Sequence, residues 1–164
     1  SDGYYKDVDT TSDNSGDKPT TTKARKKLSA FMPRKAAVQL TDRARTFFRQ
    51  LLADPPRPDV VGVQLQYETS RVMAPRMAFT FRFVSADQVG PYDEAVSLEL
   101  VPDEKNDSQL VPKSPAQAAN DGLPKLYVSA DAFLKVLGAT VDVDPETVTP
   151  ILYDKEGNKM DPNA

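Results

Sequence analysis

The chain has 164 residues, a net charge of −3 and 39% apolar residues, enough for one domain with a modest core beside a flexible extension. Cysteine, histidine and tryptophan are absent, which excludes thiol nucleophiles, disulfides, imidazole bases, and zinc or iron–sulfur ligation by the usual soft ligands. No run approaches the roughly 18 apolar residues of a membrane span.

The charge is unevenly spread. Residues 1–22 carry five Asp and two Lys, a net of −3. Residues 23–82 carry thirteen Lys/Arg against four acids, a net of +9, and the remainder carries six Lys against fifteen acids, a net of −9. A basic middle segment can meet RNA, anionic lipid or an acidic protein, and it can equally face the acidic half of its own chain or solvent.

In chain order, residues 1–22 have almost no aliphatic residues and no periodicity, the pattern of a tail that orders only on a partner. Lys23, Arg25, Lys26 and Lys27, with Lys35 further on, are interspersed with Leu28, Phe31 and Met32. That mixture suits an arm lying along another surface, and residues 1–35 are read as an extended N-terminal arm. Tyr4, Tyr5, Phe31 and Met32 are its largest apolar anchors, and the basic cluster supplies steering. The start at Ser1 is expected to reflect a cleaved presequence.

Thr41 is placed as the cap of a first helix, with Asp42 at the positive end of its dipole and Ala44, Phe47, Phe48, Leu51 and Leu52 on its apolar face. Arg43, Arg45 and Arg49 are assigned to a solvated face, and Asp54-Pro55-Pro56 ends the helix. Two alternating strands follow. Val61, Val63, Leu65 and Tyr67 form one apolar face, and Met77, Phe79, Phe81 and Phe83 the next. Their connection, Ser70 to Arg76, is too long for a two-residue turn and reads as a presented loop. Arg71 and Arg76 flank it and can clamp an acidic partner.

Asp87 to Asp93 is a turn around Gly90-Pro91, and Ala95 to Val101 reads as a third strand with Val96, Leu98 and Leu100 on one face. Residues 102–124 are polar and proline-bearing and read as an inserted surface loop. Leu126 to Val128 is a short strand. Ser129 is placed as the cap of a second helix, with Ala132, Phe133, Val136 and Leu137 inward and Gly138 as its stop. Thr140 to Val143 and Val148 to Tyr153 read as closing strands, with a turn over Asp154 to Asn158.

Three acidic groups are candidate cation sites: Asp103 with Glu104 and Asp107, Asp142 with Asp144 and Glu146, and the stretch from Asp154 to Asp161. None has the spacing of a calcium loop, and solvated acids or turn caps are the stronger reading. No two carboxylates are placed together for acid–base chemistry, and the scattered glycines make no phosphate cradle. No catalytic, cofactor-binding or metal residue is therefore assigned.

The order helix, long hairpin, strand, short strand, short helix, closing strands resembles the A-type iron–sulfur carrier family (HesB/IscA-like). Glu68-Thr69-Ser70 before the loop and Met77-Ala78-Phe79 after it are similar to that family's residues around its cysteine-bearing loop. Leu126 to Gly138, followed by Ala139 to Val143, and the terminal Asp161-Pro162-Asn163-Ala164 are similar to its later signatures. The resemblance implies an α+β fold over residues 36–164, with mixed or antiparallel sheets, two packed helices and the 102–124 insertion. It also implies a mitochondrial matrix location.

The family's loop cysteine falls within Val72 to Ala74, where no thiol stands, and the chain stops where the terminal Cys-X-Cys would begin. Met73 and Met77 offer only weak neutral thioethers where clusters need thiolates. The expected role is thus a non-catalytic accessory subunit of a large mitochondrial assembly, a respiratory complex before the ribosome, bound to other protein subunits and to no small-molecule substrate. A pI of about 5.0 makes RNA the less favoured partner. The alternative is an iron–sulfur assembly factor acting through protein contacts.

Overall fold

The computed structural model of the chain describes residues 35–70 and 76–160. Its chain path begins with β1 (Val38–Leu40), which runs parallel to β8 (Ala139–Asp144) and pairs Val38 with Ala139. This first strand escaped the sequence reading because three residues carry no period. It exists through pairing with a strand about a hundred positions later.

Helix α1 (Asp42–Ala53) follows the expected chemistry. The hydroxyl of Thr41 accepts from Ala44 N at 3.1 Å, Asp42 occupies the first turn, and Ala44, Phe48 and Leu52 bury one face at helical spacing. One expectation is corrected: Arg45 is 7% exposed and does not belong to a solvated face. Its guanidinium folds back on the cap, donating to Asp42 Oδ1 at 3.0 Å and to Leu40 O at 3.3 Å. Those bonds and its aliphatic stem allow it to sink where a free charge could not.

Strands β2 (Val60–Ser70) and β3 (Arg76–Ser85) form the long antiparallel hairpin, with Leu65 opposite Phe81 and Tyr67 opposite Phe79. The register slips between Val60 and Gly62, so Val61 is the extra residue of a bulge rather than the first member of the inward face. Gly62 is required there: a Cβ would stand 2.1 Å from Lys125 O of the neighbouring strand. Val63 and Leu65 are buried, while Tyr67, Phe79, Phe81 and Phe83 are half-buried and pack on the same core.

After a short 3-10 turn (Ala86–Gln88) comes β4 (Glu94–Val96), and then β5 (Leu100–Pro102). The single third strand expected from Ala95 to Val101 is therefore two strands. The hydroxyl of Ser97 accepts from Glu99 N at 2.9 Å, a local bond that turns the chain between them. Leu98 stays buried, but Leu100 moves to an exposed position.

The 102–124 stretch is ordered rather than a plain loop. β6 (Leu110–Pro112) pairs back on β5, and α2 (Pro115–Ala118) opens on a reciprocal capping box between Ser114 and Gln117, which buries Ala118. The loop reading failed because two three-residue strands containing proline leave no periodic signal.

β7 (Lys125–Val128) inserts parallel to β2 and antiparallel to β4. In α3 (Ala130–Val136), Ala132 and Val136 are buried as expected, but Leu137 is 52% exposed. The helix has ended by then, and Gly138 at φ 85° swings the chain into β8. β8 pairs with the closing strand β9 (Thr149–Tyr153).

The result is α+β with mixed sheets: β9-β8-β1, β3-β2-β7-β4 and the ribbon β5-β6. Helix α1 contacts strands of both larger sheets, and α3 packs on β2. The core runs between them through Val38, Phe48, Leu65, Leu126, Val136 and Val141. Among the described residues, no helix is long and apolar enough to cross a membrane.

Candidate protein-docking site

The hairpin holds its distal end on both faces. On the inner face Tyr67 and Phe79 lie 5.0 Å apart between ring centroids, and the ammonium of Lys135, brought by α3, stands 4.6 Å over the Tyr67 ring. A cation so placed adds about 0.5–1 kcal/mol at an exposed site. On the outer face Thr80 Oγ1 donates to Glu68 Oε2 at 2.8 Å, locking the strands side chain to side chain. Further down, Phe81 meets Phe48 of α1 at 5.8 Å. The 71–75 connection itself lies outside the described residues.

The outer face also carries a polar row. Gln64 is 3% exposed and donates from Nε2 to Asp93 Oδ2 at 2.6 Å. Asp93 in turn accepts from Gly90 N at 2.7 Å, so one carboxylate joins the turn, the sheet and, through Ala130 N at 3.2 Å, the start of α3. Arg82 reaches along the same face, with Nη2 at 2.8 Å from the Gln66 amide oxygen when that amide faces it.

Two ion-paired clusters tie distant segments together. Arg43 holds Asp142 with two bonds, and Thr41 Oγ1 adds a third at 2.7 Å. The Arg43 hydrogen bonds, against the opposing effect of burial, keep the Asp142 carboxyl well below the usual carboxylate range. Asp121 sits between Lys113 and Lys125, each at 2.9 Å, and accepts from Leu123 N at 2.9 Å. Burial pushes Asp121 upward, yet the Leu123 N–H and the two ammonium groups together hold it well below its ordinary value. This cluster fastens the 102–124 segment to β7.

Among the arm residues proposed to meet a partner, Tyr4, Tyr5, Lys23, Arg25, Lys26, Lys27, Phe31 and Met32 lie outside the described residues, as does Arg71. Arg76 opens β3 opposite Ser70, at the mouth of the presented loop. Sequence reasoning missed the buried polar groups Gln64, Glu94 and Lys125: alternation assigns Gln64 and Lys125 to solvent, and Glu94 lies just before the expected strand.

Four of the acids in the candidate cation groups have other work. Asp103, Asp144 and Asp154 each accept backbone N–H groups of their own turns, and Asp142 is the partner of Arg43. Among the described residues, no three His, Cys, Asp or Glu side chains gather where a metal ion could be held. A shallow open groove lies beside α1, lined by Phe47, Val143, Pro145 and Val148 among others.

Apolar side chains remain at the surface: Leu134 and Leu137 at α3, Tyr92 in the turn, and one face of the β5-β6 ribbon with Leu110 at 61% exposure. The arrangement presents a braced hairpin and an apolar, mixed-charge surface, which suits contact with protein.

No family model matches the chain. No curated protein matches it. Among solved structures the chain is similar to the crystal structure of SufA of Escherichia coli, a protein involved in the biosynthesis of iron–sulfur clusters. The two share 21% identity at a TM-score of 0.43, over 78% of this chain and 82% of that one.

Proposed function

We propose that this chain is a non-catalytic, protein-binding domain: an A-type carrier fold without cluster ligands, serving as an accessory subunit of a large assembly. One observation carries the reading. All 164 residues lack a thiol or an imidazole, while the hairpin that presents the loop is paired in unbroken register from Gly62 opposite Val84 to Ser70 opposite Arg76. A regular paired scaffold around a loop with no thiolate ligand and no imidazole base suits contact rather than chemistry.

The mitochondrial matrix as compartment rests on the family resemblance of the sequence motifs, and a respiratory complex is taken before the ribosome as host. The acidic pI weighs against a role in neutralising RNA phosphates.

The experiment is mild affinity isolation of the native protein from mitochondria, with its companions identified and their ratios measured. Stoichiometric recovery with respiratory subunits is the expected result. Recovery with the cluster-assembly machinery would favour a role in assembly through protein contacts, and recovery as a free monomer would overturn both. Anaerobic incubation with iron and sulfide should give no sulfide-to-iron charge-transfer absorption; a stable coloured species at one cluster per chain or per dimer would sink the ligand-free reading.

A further inference from the structure

A sheet edge exposes a row of unpaired backbone N–H and C=O groups, and folded proteins blunt such edges with proline, short length or a covering element. Most edges here are blunted. β1 and β4 are three residues long, and α2 lies against β4. β5, β6 and β9 carry Pro102, Pro112 and Pro150.

β3 is the exception. It runs ten residues without a proline, and among the described residues it pairs with β2 alone. Phe79, Phe81 and Phe83 are half-buried toward the core; on the opposite face Thr80 is half-buried and Arg82 exposed, and Val84 at the end of the strand is buried.

We propose that the β3 edge is a docking site for an extended segment of a partner protein, which adds as a fifth strand to the β3-β2-β7-β4 sheet. Main-chain groups of β3 supply the hydrogen bonds, and alternate side chains set the selectivity. On one face the segment places apolar side chains against the Phe79, Phe81 and Phe83 rings and completes their burial. On the other it places a carboxylate beside Arg82. The occupant follows from the edge itself, since only an extended backbone satisfies a row of strand N–H and C=O groups. Its alternation follows from the chemistry of residues 79–82, where the phenylalanines Phe79 and Phe81 alternate with the polar Thr80 and the exposed Arg82. The inference rests on the protein-binding reading above and adds where the partner docks and what its chemistry is.

The test is residue-resolved amide hydrogen exchange on the full chain, free and with two synthetic peptides as long as β3. One alternates valine with threonine and has a glutamate on its polar face; the other holds the same residues in blocks. Alternate N–H groups of a strand point to its two sides. The alternating peptide should therefore slow exchange at every second amide between Ala78 and Val84 by about tenfold or more, and the blocked peptide should not.

Arg82→Glu, at an exposed position, should weaken binding of the alternating peptide, and replacing the peptide's glutamate by lysine should restore it. Equal slowing by both peptides, slowing confined to other strands, or none at about 1 mM peptide would overturn the proposal. Slowing that rises with chain concentration alone would assign the edge to a second copy and overturn it as well. The two readings fail separately. A chain isolated in its assembly with β3 amides still exchanging freely removes the docking site and leaves the protein-binding role. A chain recovered free, with the peptide result intact, removes only the role in the assembly.

Discussion

Arg43 grips Asp142 across 99 positions of chain, with Nε and Nη2 at 2.7 and 2.9 Å from the two carboxylate oxygens. Thr41 donates to the same carboxylate while its oxygen caps α1, so the start of the helix and the middle of β8 are one hydrogen-bonded unit.

This unit sets an acid dependence. Asp142 and Asp121 both titrate below their ordinary range in the folded chain, so the unfolded chain takes up protons first as pH falls. The stability they contribute is fully present above about pH 4 and is lost progressively below it. Asp142→Asn should lower stability at neutral pH and flatten its decline below pH 4, as read by urea midpoints across the acid range. A decline as steep as in the parent chain would show that Asp142 is not a source of it. Thr41→Ala removes the cap and should cost about 1 kcal/mol.

The core should be graded by depth. Phe48 is fully buried at the meeting of α1 and the hairpin, and Phe48→Ala should cost about 3–5 kcal/mol. Phe79→Ala and Phe81→Ala remove half-buried rings and should cost less than that, with Thr80→Ala milder still. Denaturation in guanidinium gives the order. An intolerant Thr80 with tolerant phenylalanines would reverse the strand faces.

Gly62→Ala should be costly despite adding one methyl group. The new Cβ would meet the Lys125 carbonyl, which is backbone, so the parallel β2-β7 pairing has to open rather than a side chain turn aside. Overpacking of this kind costs about 1–3 kcal/mol or more. Calorimetry should show a fall in melting temperature for Gly62→Ala, while Gly122→Ala meets no neighbour and pays only for its positive φ of 75°.

Val148 points the other way. It is a β-branched residue at φ 54°, 57% exposed, in the turn between β8 and β9. The left-handed region costs such a side chain about 1–2 kcal/mol, and asparagine tolerates it far better. Val148→Asn should raise stability by about 1 kcal/mol; an unchanged or lower midpoint would mean that contacts of the valine outweigh its strain.

The sequence by itself determined the elements whose signal is local. The Thr41 cap, the i,i+4 apolar stripe of α1, the alternation of β3 and the turn at Gly157 are each written within a dozen residues, because helix and strand periods and cap chemistry act at that range. It also determined the excluded chemistry, since a side chain that is not encoded cannot be supplied by folding.

The tertiary structure decided everything that depends on a partner distant in the chain. Val38 to Leu40 is a strand because β8 lies beside it, and Gln64 is buried at a strand position of the outer face because Asp93, 29 positions on, receives its amide. Within residues 102–124, α2 has its place because β4, about twenty positions earlier, lies against it. Which strands became edges belongs to the same class, because an edge is defined by the neighbour a strand lacks, and sheet order is set by packing across the whole chain.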